Sequence, residues 1–269
     1  MTSVRLGLRA TPPALIHGLR AQRIIERNVM VARRAWLPMV SGFFEPVFYL
    51  FSIGVGVGGL VGDLQVDGRS IPYATFVAPA LLASSAMNGA VFESTFNIFF
   101  KLKFGKVYDA MLTTPLRPID IATGEVGYSL LRGGLYSMGF MVVMALYGLT
   151  TSWWAVMAVP ASLLIALAFA SVGLAATTFM RSWQDFDLVN LVTLPLFLFS
   201  ATFYPLDVYP PFFQNFTRFS PLYHGVELIR GFTLGVFDPS MIGHAAVLVA
   251  MSAAGITVAG RRLEKLLLT

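Results

Sequence analysis

Residues 106–125 read KVYDAMLTTPLRPIDIATGE, a charged stretch broken by Pro115 and Pro118 and set between two long apolar segments. Helix formers such as Lys106, Ala110, Met111 and Leu112 precede the prolines, so the stretch reads as a short polar helix rather than a floppy loop. Working outward from it, the flanking runs are long enough to cross a bilayer, which takes about 20 mainly apolar residues. The same test along the chain gives six expected spans, near 37–60, 73–100, 121–149, 153–180, 188–206 and 241–260. Residues 1–35 then form a polar tail with an amphipathic helix, and 36–269 a single membrane domain.

Composition agrees with an all-α polytopic membrane protein. Apolar residues make up 56% and charged residues 12% of the 269 positions, far from the roughly 45–50% and about 25% of a soluble domain. Mean hydropathy is +0.71. The chain has no Cys, so neither a disulfide framework nor a thiolate metal site is available. The first apolar run follows a long basic segment and no small-residue cleavage site closes it, so the first span is expected to stay.

Charge fixes the expected orientation. Arg5, Arg9, Arg20, Arg23, Arg27, Arg33 and Arg34 precede the first span; Lys101, Lys103, Lys106 and Arg117 lie between the second and third. Arg181 follows the fourth, and Arg261, Arg262 and Lys265 follow the sixth. Arg69, Arg218 and Arg230 fall on the other side and Arg132 within the third span. Basic residues collect on the cytoplasmic side of short connections, so both termini are expected there, in the cytoplasmic membrane of a bacterium. That places 106–125 in the cytoplasm as well.

Around the spans, three further segments stand out. Arg residues recur every three or four positions from 13 to 35 with Leu15, Leu19, Ile24, Ile25 and Val29 between them, the pattern of a helix in the headgroup layer. It reads either as a topological anchor or as a contact for a cytoplasmic partner. Residues 205–236, which include Pro205, Pro221, Tyr223, Glu227 and Arg230, are too broken to span and too apolar for a solvated loop. One or two short helices dipping into the outer leaflet, as a lid or an aromatic belt, fit them. Within the spans, Glu45, Glu93, Glu125 and Arg132 each need a partner or a water-filled cavity. Glu125 and Arg132, seven apart on one helix face, are expected to pair with neighbouring helices rather than with each other.

Several chemistries lack their residues. No G-x-x-x-x-G-K-[ST] loop occurs, so the chain is not expected to hydrolyse ATP. His17, His224 and His244 are far apart in sequence and read as interfacial or packing residues, giving no metal centre, and no catalytic constellation or nucleic-acid partner is expected.

The stretch FVAPALLASSAMNGAVFESTFNIFFKLKFGKVYDAMLTTPLRPIDIATGE at 76–125, with PLYHGVELIRGF at 221–232 in support, resembles the permease subunits of type-2 ABC exporters. Within them it is most similar to the NodJ-type lipo-oligosaccharide exporters and, next, to daunorubicin-type drug-export permeases. The resemblance implies a permease paired with a second, usually identical, permease and with two separate ATPase subunits that use ATP and Mg. It implies a coupling helix, about 103–118, that docks into the ATPase through Lys106, Tyr108, Asp109, Thr113, Thr114, Pro115, Arg117, Pro118 and Asp120. The interfacial helix then maps to Arg20, Arg23, Glu26 and Arg27. An amphiphilic substrate (lipo-oligosaccharide, glycolipid or hydrophobic drug) would pass residues such as Phe43, Phe44, Glu45, Phe48 and Tyr49, with Glu93, Glu125 and Arg132 as gating or pathway candidates. A proton-coupled carrier using Glu45, Glu93 or Glu125, and a scaffold without transport, remain open alternatives.

Overall fold

The computed structural model describes residues 13–34, 44–66 and 68–267. Helix α1 (Pro13–Arg34) precedes a first membrane helix α2 (Phe44–Val61) and a hairpin of β1 (Asp63–Val66) and β2 (Arg69–Pro72). Then come α3 (Tyr73–Lys103), the short α4 (Val107–Leu112), α5 (Pro118–Leu146) and α6 (Trp153–Thr177). The chain ends with α7 (Asp185–Leu198), α8 (Pro211–Phe219), α9 (Pro221–Leu234) and α10 (Ser240–Leu267). The chain is an all-α polytopic membrane protein apart from the small hairpin.

Five helices, α2, α3, α5, α6 and α10, are long and apolar enough to cross a membrane. The sixth expected span, near 188–206, appears as the 14-residue α7. At 1.5 Å per residue that is about 21 Å, short of the roughly 30 Å hydrocarbon core. Pro195 lies inside α7, and Ala201 beyond it takes a left-handed φ of 54°, so the helix stops early. The hairpin is an element that the span count passes over. Its cue is in the sequence, where Asp67-Gly68 is a favoured two-residue turn, and Gly68 takes φ +72°.

Helix α3 is apolar on every side and becomes the centre, with Phe76, Val77, Leu81, Leu82 and Met87 all fully buried. Around it α5, α6, α9 and α10 approach closely where small residues allow it. A Cβ on Gly255 of α10 would lie 2.7 Å from the Ser171 backbone of α6, so the two helices touch main chain to side. Five residues of α3, Glu93–Asn97, adopt a π-helical turn. Such turns add a residue to the helix circumference and are frequent at functional sites.

Helix α1 does not simply lie on lipid. Ile24 and Asn28 are buried against α5, where a Cβ on Gly124 would meet Ile24 at 2.7 Å and the Ala21 carbonyl at 3.0 Å. The stripe expected to face the headgroup layer is therefore partly taken up by protein, while Arg23, Met30, Val31, Arg33 and Arg34 stay exposed.

Candidate functional site

Two features at the basic end of the bundle belong together: the α4 segment and a polar recess in the helices above it. Phe100 ends a turn whose carbonyl accepts the Gly105 N–H, and Lys106 takes the left-handed φ of 44°, which redirects the chain into α4. The coupling helix expected over 103–118 is thus a helix of six residues, because Lys103 closes α3 and Pro115 and Pro118 prevent continuation. Asp120 then reaches back to accept the Arg117 N–H at 3.0 Å, capping the first turn of α5.

Val107, Tyr108, Met111, Leu112, Leu116 and Ile119 give 106–125 an apolar surface that from sequence alone would be left to a partner, but most of it is taken up by the chain itself. Tyr108 is 1% exposed, and Met111, Leu112 and Leu116 lie against the chain's own core. Of the nine candidate docking residues, Tyr108, Pro118 and Asp120 point inward. Lys106, Asp109, Thr113, Thr114, Pro115 and Arg117 are the exposed ones. Thr113 and Thr114 donate their hydroxyls to the Ala110 and Met111 carbonyls at 2.8 and 2.6 Å, closing the C-terminal end of α4. The surface that remains for a partner is mainly polar, with Phe104 and Ile119 as its exposed apolar residues.

Behind α4 a buried cluster joins three elements, α1, α3 and α5. Glu125 on α5, 1% exposed, accepts from Lys101 Nζ at 2.7 Å and from Asn28 Nδ2 at 2.9 Å on the same oxygen. Arg20 lies 3.8 Å from the buried Asp120. Arg23 and Glu26 form an exposed pair along α1 at 2.9 Å, of the kind that contributes about 0.2–1 kcal/mol at most. Arg27 donates to Asn28 Oδ1 at 3.1 Å.

The recess has a volume of about 1300 Å³ and is lined by residues of α1, α2, α3, α5 and α7. Its polar groups include Glu45, Ser84, Ser85, Asn88, Asn97, Asn190 and the pair of Glu93 with Arg132. Glu93, placed at the start of the π-helical turn, accepts from Arg132 on α5 and from Asn97 Nδ2 at 2.6 Å. Arg132 also donates from Nε to the Tyr136 hydroxyl at 3.0 Å. Glu93 and Glu125 therefore each take a cation from a neighbouring helix. Along α3 the rings of Phe92, Phe96, Phe100 and Phe104 stack at 5.0, 5.0 and 5.3 Å, with Trp183 and Phe186 against them.

Among the pathway candidates, Glu45, Tyr49, Glu93 and Arg132 meet at the recess. Phe44 and Phe48 stack on each other outside it, at 5.9 Å. Glu125 sits in the cluster beneath, and Phe43 lies outside the described residues. Asn28, Lys101 and the α7 residues Phe186 and Asn190 were not among the sequence candidates. For the ring ladder, the sequence cue is phenylalanine at every fourth position from 92 to 104.

At the opposite end, Arg230 is 6% exposed and binds Glu227 at 2.7 Å and the Ala201 carbonyl at 2.8 Å, with its guanidinium 3.9 Å above the Phe76 ring. It ties α9 to the bend after α7. Pro221 starts α9, and Pro205 precedes a single 3-10 turn at Leu206–Val208. His224 and His244, distant in sequence, face each other here with Nδ1 atoms 2.6 Å apart, and Tyr223 meets both rings edge-on at 5.7 and 5.8 Å. Their reading as separate packing residues is replaced by a pair. Burial, and then His244, lower the pKa of His224. A folded-state value below the ordinary one of about 6.5 means that the folded chain binds the proton less readily than the unfolded one. The α9–α10 contact is then full above about pH 6.5 and weakens as pH falls through that value. Amide protection factors over α9, corrected for the intrinsic pH dependence of exchange, are expected to be several-fold lower at pH 5 than at pH 7.5, and His224→Asn should flatten that difference.

Residues 20–234 match the family described as ABC-2 type transporter. The chain is 35% identical over 242 residues to Nodulation protein J of Rhizobium leguminosarum bv. viciae, covering 89% of this chain and 91% of the relative. It is 36% identical over 223 residues to Nodulation protein J of Rhizobium leguminosarum bv. trifolii, covering 82% and 80%. With the inner membrane transport permease YadH of Escherichia coli (strain K12) it shares 27% identity over 220 residues, covering 80% and 83%.

Proposed function

The chain belongs to the ABC-2 type transporter family, and on that premise we propose that it is the permease of an exporter driven by separate ATPase subunits. As a family member it is the transmembrane subunit of a transporter and not a catalytic enzyme. In the proposed complex two ATPase copies, which bind ATP and Mg, push on the polar surface of α4, and a second copy of this chain completes the path. The observation that carries this is the six-residue α4 between the two central spans, with Asp109, Thr113, Thr114 and Arg117 held outward and its apolar side anchored inward. With residues 185–204, α7 and the bend after it, taken to complete a sixth crossing, both termini and the α4 end face the cytoplasm in this reading, following the clustering of Lys and Arg.

The substrate is an amphiphile: lipo-oligosaccharide, glycolipid or hydrophobic drug. Support comes from the recess, whose amides, hydroxyls and carboxylates suit a polar head while the stacked rings beside it suit an apolar chain. In this reading such a molecule enters the recess laterally from the membrane. A proton-coupled carrier draws less support, since Glu93 and Glu125 are already engaged by Arg132 and Lys101.

Co-expression with a candidate partner ABC ATPase tests the reading. The pair should co-purify, and the permease should raise ATP turnover. Asp109→Lys, which reverses charge on the exposed surface of α4, should weaken retention about tenfold, the equivalent of about 1.4 kcal/mol. Full retention and full stimulation in that variant would remove α4 as the docking surface.

A further inference from the structure

Most charges that line the recess already have partners. Glu93 holds Arg132 and Asn97, and Lys101 is held by Glu125 from beneath. Arg27 donates to Asn28 on α1, and Asp187 lies in the first turn of α7, both toward the basic end. Glu45 on α2 differs from these: its exposed side chain lines the recess, and no hydrogen bond or ion pair engages it among the described residues. Nor does it stand at headgroup level. One turn beyond it, the Tyr49 ring meets the Phe197 ring of α7 at 5.6 Å. Phe197 lies twelve residues past the start of α7 at Asp185, a rise of about 18 Å, which sets Glu45 about 12 Å past that start. A Glu side chain is too short to reach the headgroups from there. Asn88, midway along α3, and Asn190 of α7 line the same recess, and their side-chain amides also have no partner among the described residues. Polar groups at this depth in a membrane need one.

We propose that Glu45 sorts the head groups that enter this recess: its carboxylate takes a hydroxyl or ammonium donor and turns away phosphate and carboxylate heads. The proposal rests on the reading of the recess as the substrate site and narrows the substrate to amphiphiles whose heads donate hydrogen bonds and carry no negative charge. An ionised carboxylate only accepts hydrogen bonds, whereas the amides of Asn88 and Asn190 both donate and accept. The amides therefore hold a head of either kind, and Glu45 supplies the choice. Because Arg132 and Lys101 are already neutralised, the charge of Glu45 is uncompensated where it faces the recess. Placing a like charge beside it is the repulsive element that gives a site its specificity.

Two probes with the same dansyl-labelled acyl chain, one bearing a glucoside head and the other a phosphate head, test this on the full chain in phosphatidylcholine nanodiscs. Energy transfer from Trp183, which lines the recess, reports occupancy, and Trp183→Phe gives the background from the surrounding lipid. The wild type should bind the glucoside at least about tenfold more tightly than the phosphate. Glu45→Gln keeps the size and an acceptor oxygen while removing the charge. It should bring the two probes within about threefold of each other, chiefly by strengthening phosphate binding, and Glu45→Lys should reverse the preference. Since Glu45 makes no contact of these kinds in the chain, both variants should keep the thermal stability of the wild type. Equal affinities in the wild type, or a tenfold difference that persists in Glu45→Gln, overturn the proposal while leaving the recess as a binding site. No saturable transfer from either probe sinks the substrate-site reading and the proposal with it. Sorting by Glu45 together with failure of the complete transporter to move the glucoside on ATP would remove the exporter reading alone.

Discussion

Glu93→Ala is expected to cost about 3 kcal/mol of stability, the low end of the roughly 3–5 kcal/mol for removing one partner of a buried ion pair. The variant leaves Arg132 on α5 with only the Tyr136 hydroxyl, 3.0 Å from Nε, as a hydrogen-bond partner among the described residues. The low end applies because Arg132 borders the recess, so water entering there can solvate the orphaned guanidinium. Adding Arg132→Met should recover most of the loss, since an apolar side chain of similar length needs no partner. Unfolding in detergent measures both. A cost below about 1 kcal/mol for the single variant would mean that the pair is solvated and contributes as an exposed one does.

Gly124→Leu is expected to displace α1 from the bundle. A Cβ at Gly124 alone would stand 2.7 Å from Ile24 Cβ and 3.0 Å from the Ala21 carbonyl, and the second of these is backbone that cannot rotate away. Overpacking of this kind costs about 1–3 kcal/mol, and here the separation also breaks Asn28 from Glu125 and Arg20 from Asp120. A labelled position on α1 should become accessible to reagent or protease while the spans keep their helical signal. Gly127→Ala makes a milder control, because its nearest neighbour is the end of the Ile25 side chain. If α1 remains protected in Gly124→Leu, the helix is held by lipid and not by α5.

Much of the architecture was legible in advance because membrane spans are written in local composition. The runs that became α2, α3, α5, α6 and α10 are long and apolar. The pairing of Glu125 and Arg132 with a neighbouring helix, through Lys101 and Glu93, also followed from spacing, since charges seven apart on one helix do not meet readily. Partners were another matter. Lys101 lies 24 residues from Glu125 and Asn28 lies 97 from it, so only the tertiary fold brings them together. The same holds for His224 and His244, which lie 20 residues apart on α9 and α10.

For α4 the sequence was ambiguous in a definite way. Val107, Tyr108, Met111 and Leu112 announce an apolar side to the helix, but amphipathicity alone does not say whether that side meets the chain's own core or another protein. Here the core takes it, and the polar residues between are what a partner can touch. α7 illustrates the reverse limit. Its apolar run is long enough to span, yet Pro195 and the left-handed Ala201 break it, and the bend they make gives Arg230 its carbonyl partner.

The central claim is that ATP hydrolysis by a separate subunit moves an amphiphile through this chain. Inverted vesicles holding the permease and its ATPase, loaded with a fluorescent glycolipid on the accessible face, measure it directly. Accumulation inside should require ATP and continue at the same rate when a protonophore collapses the proton gradient at constant ATP. Accumulation that stops with the protonophore, or that proceeds without ATP on an imposed proton gradient, would contradict the account and favour a carrier.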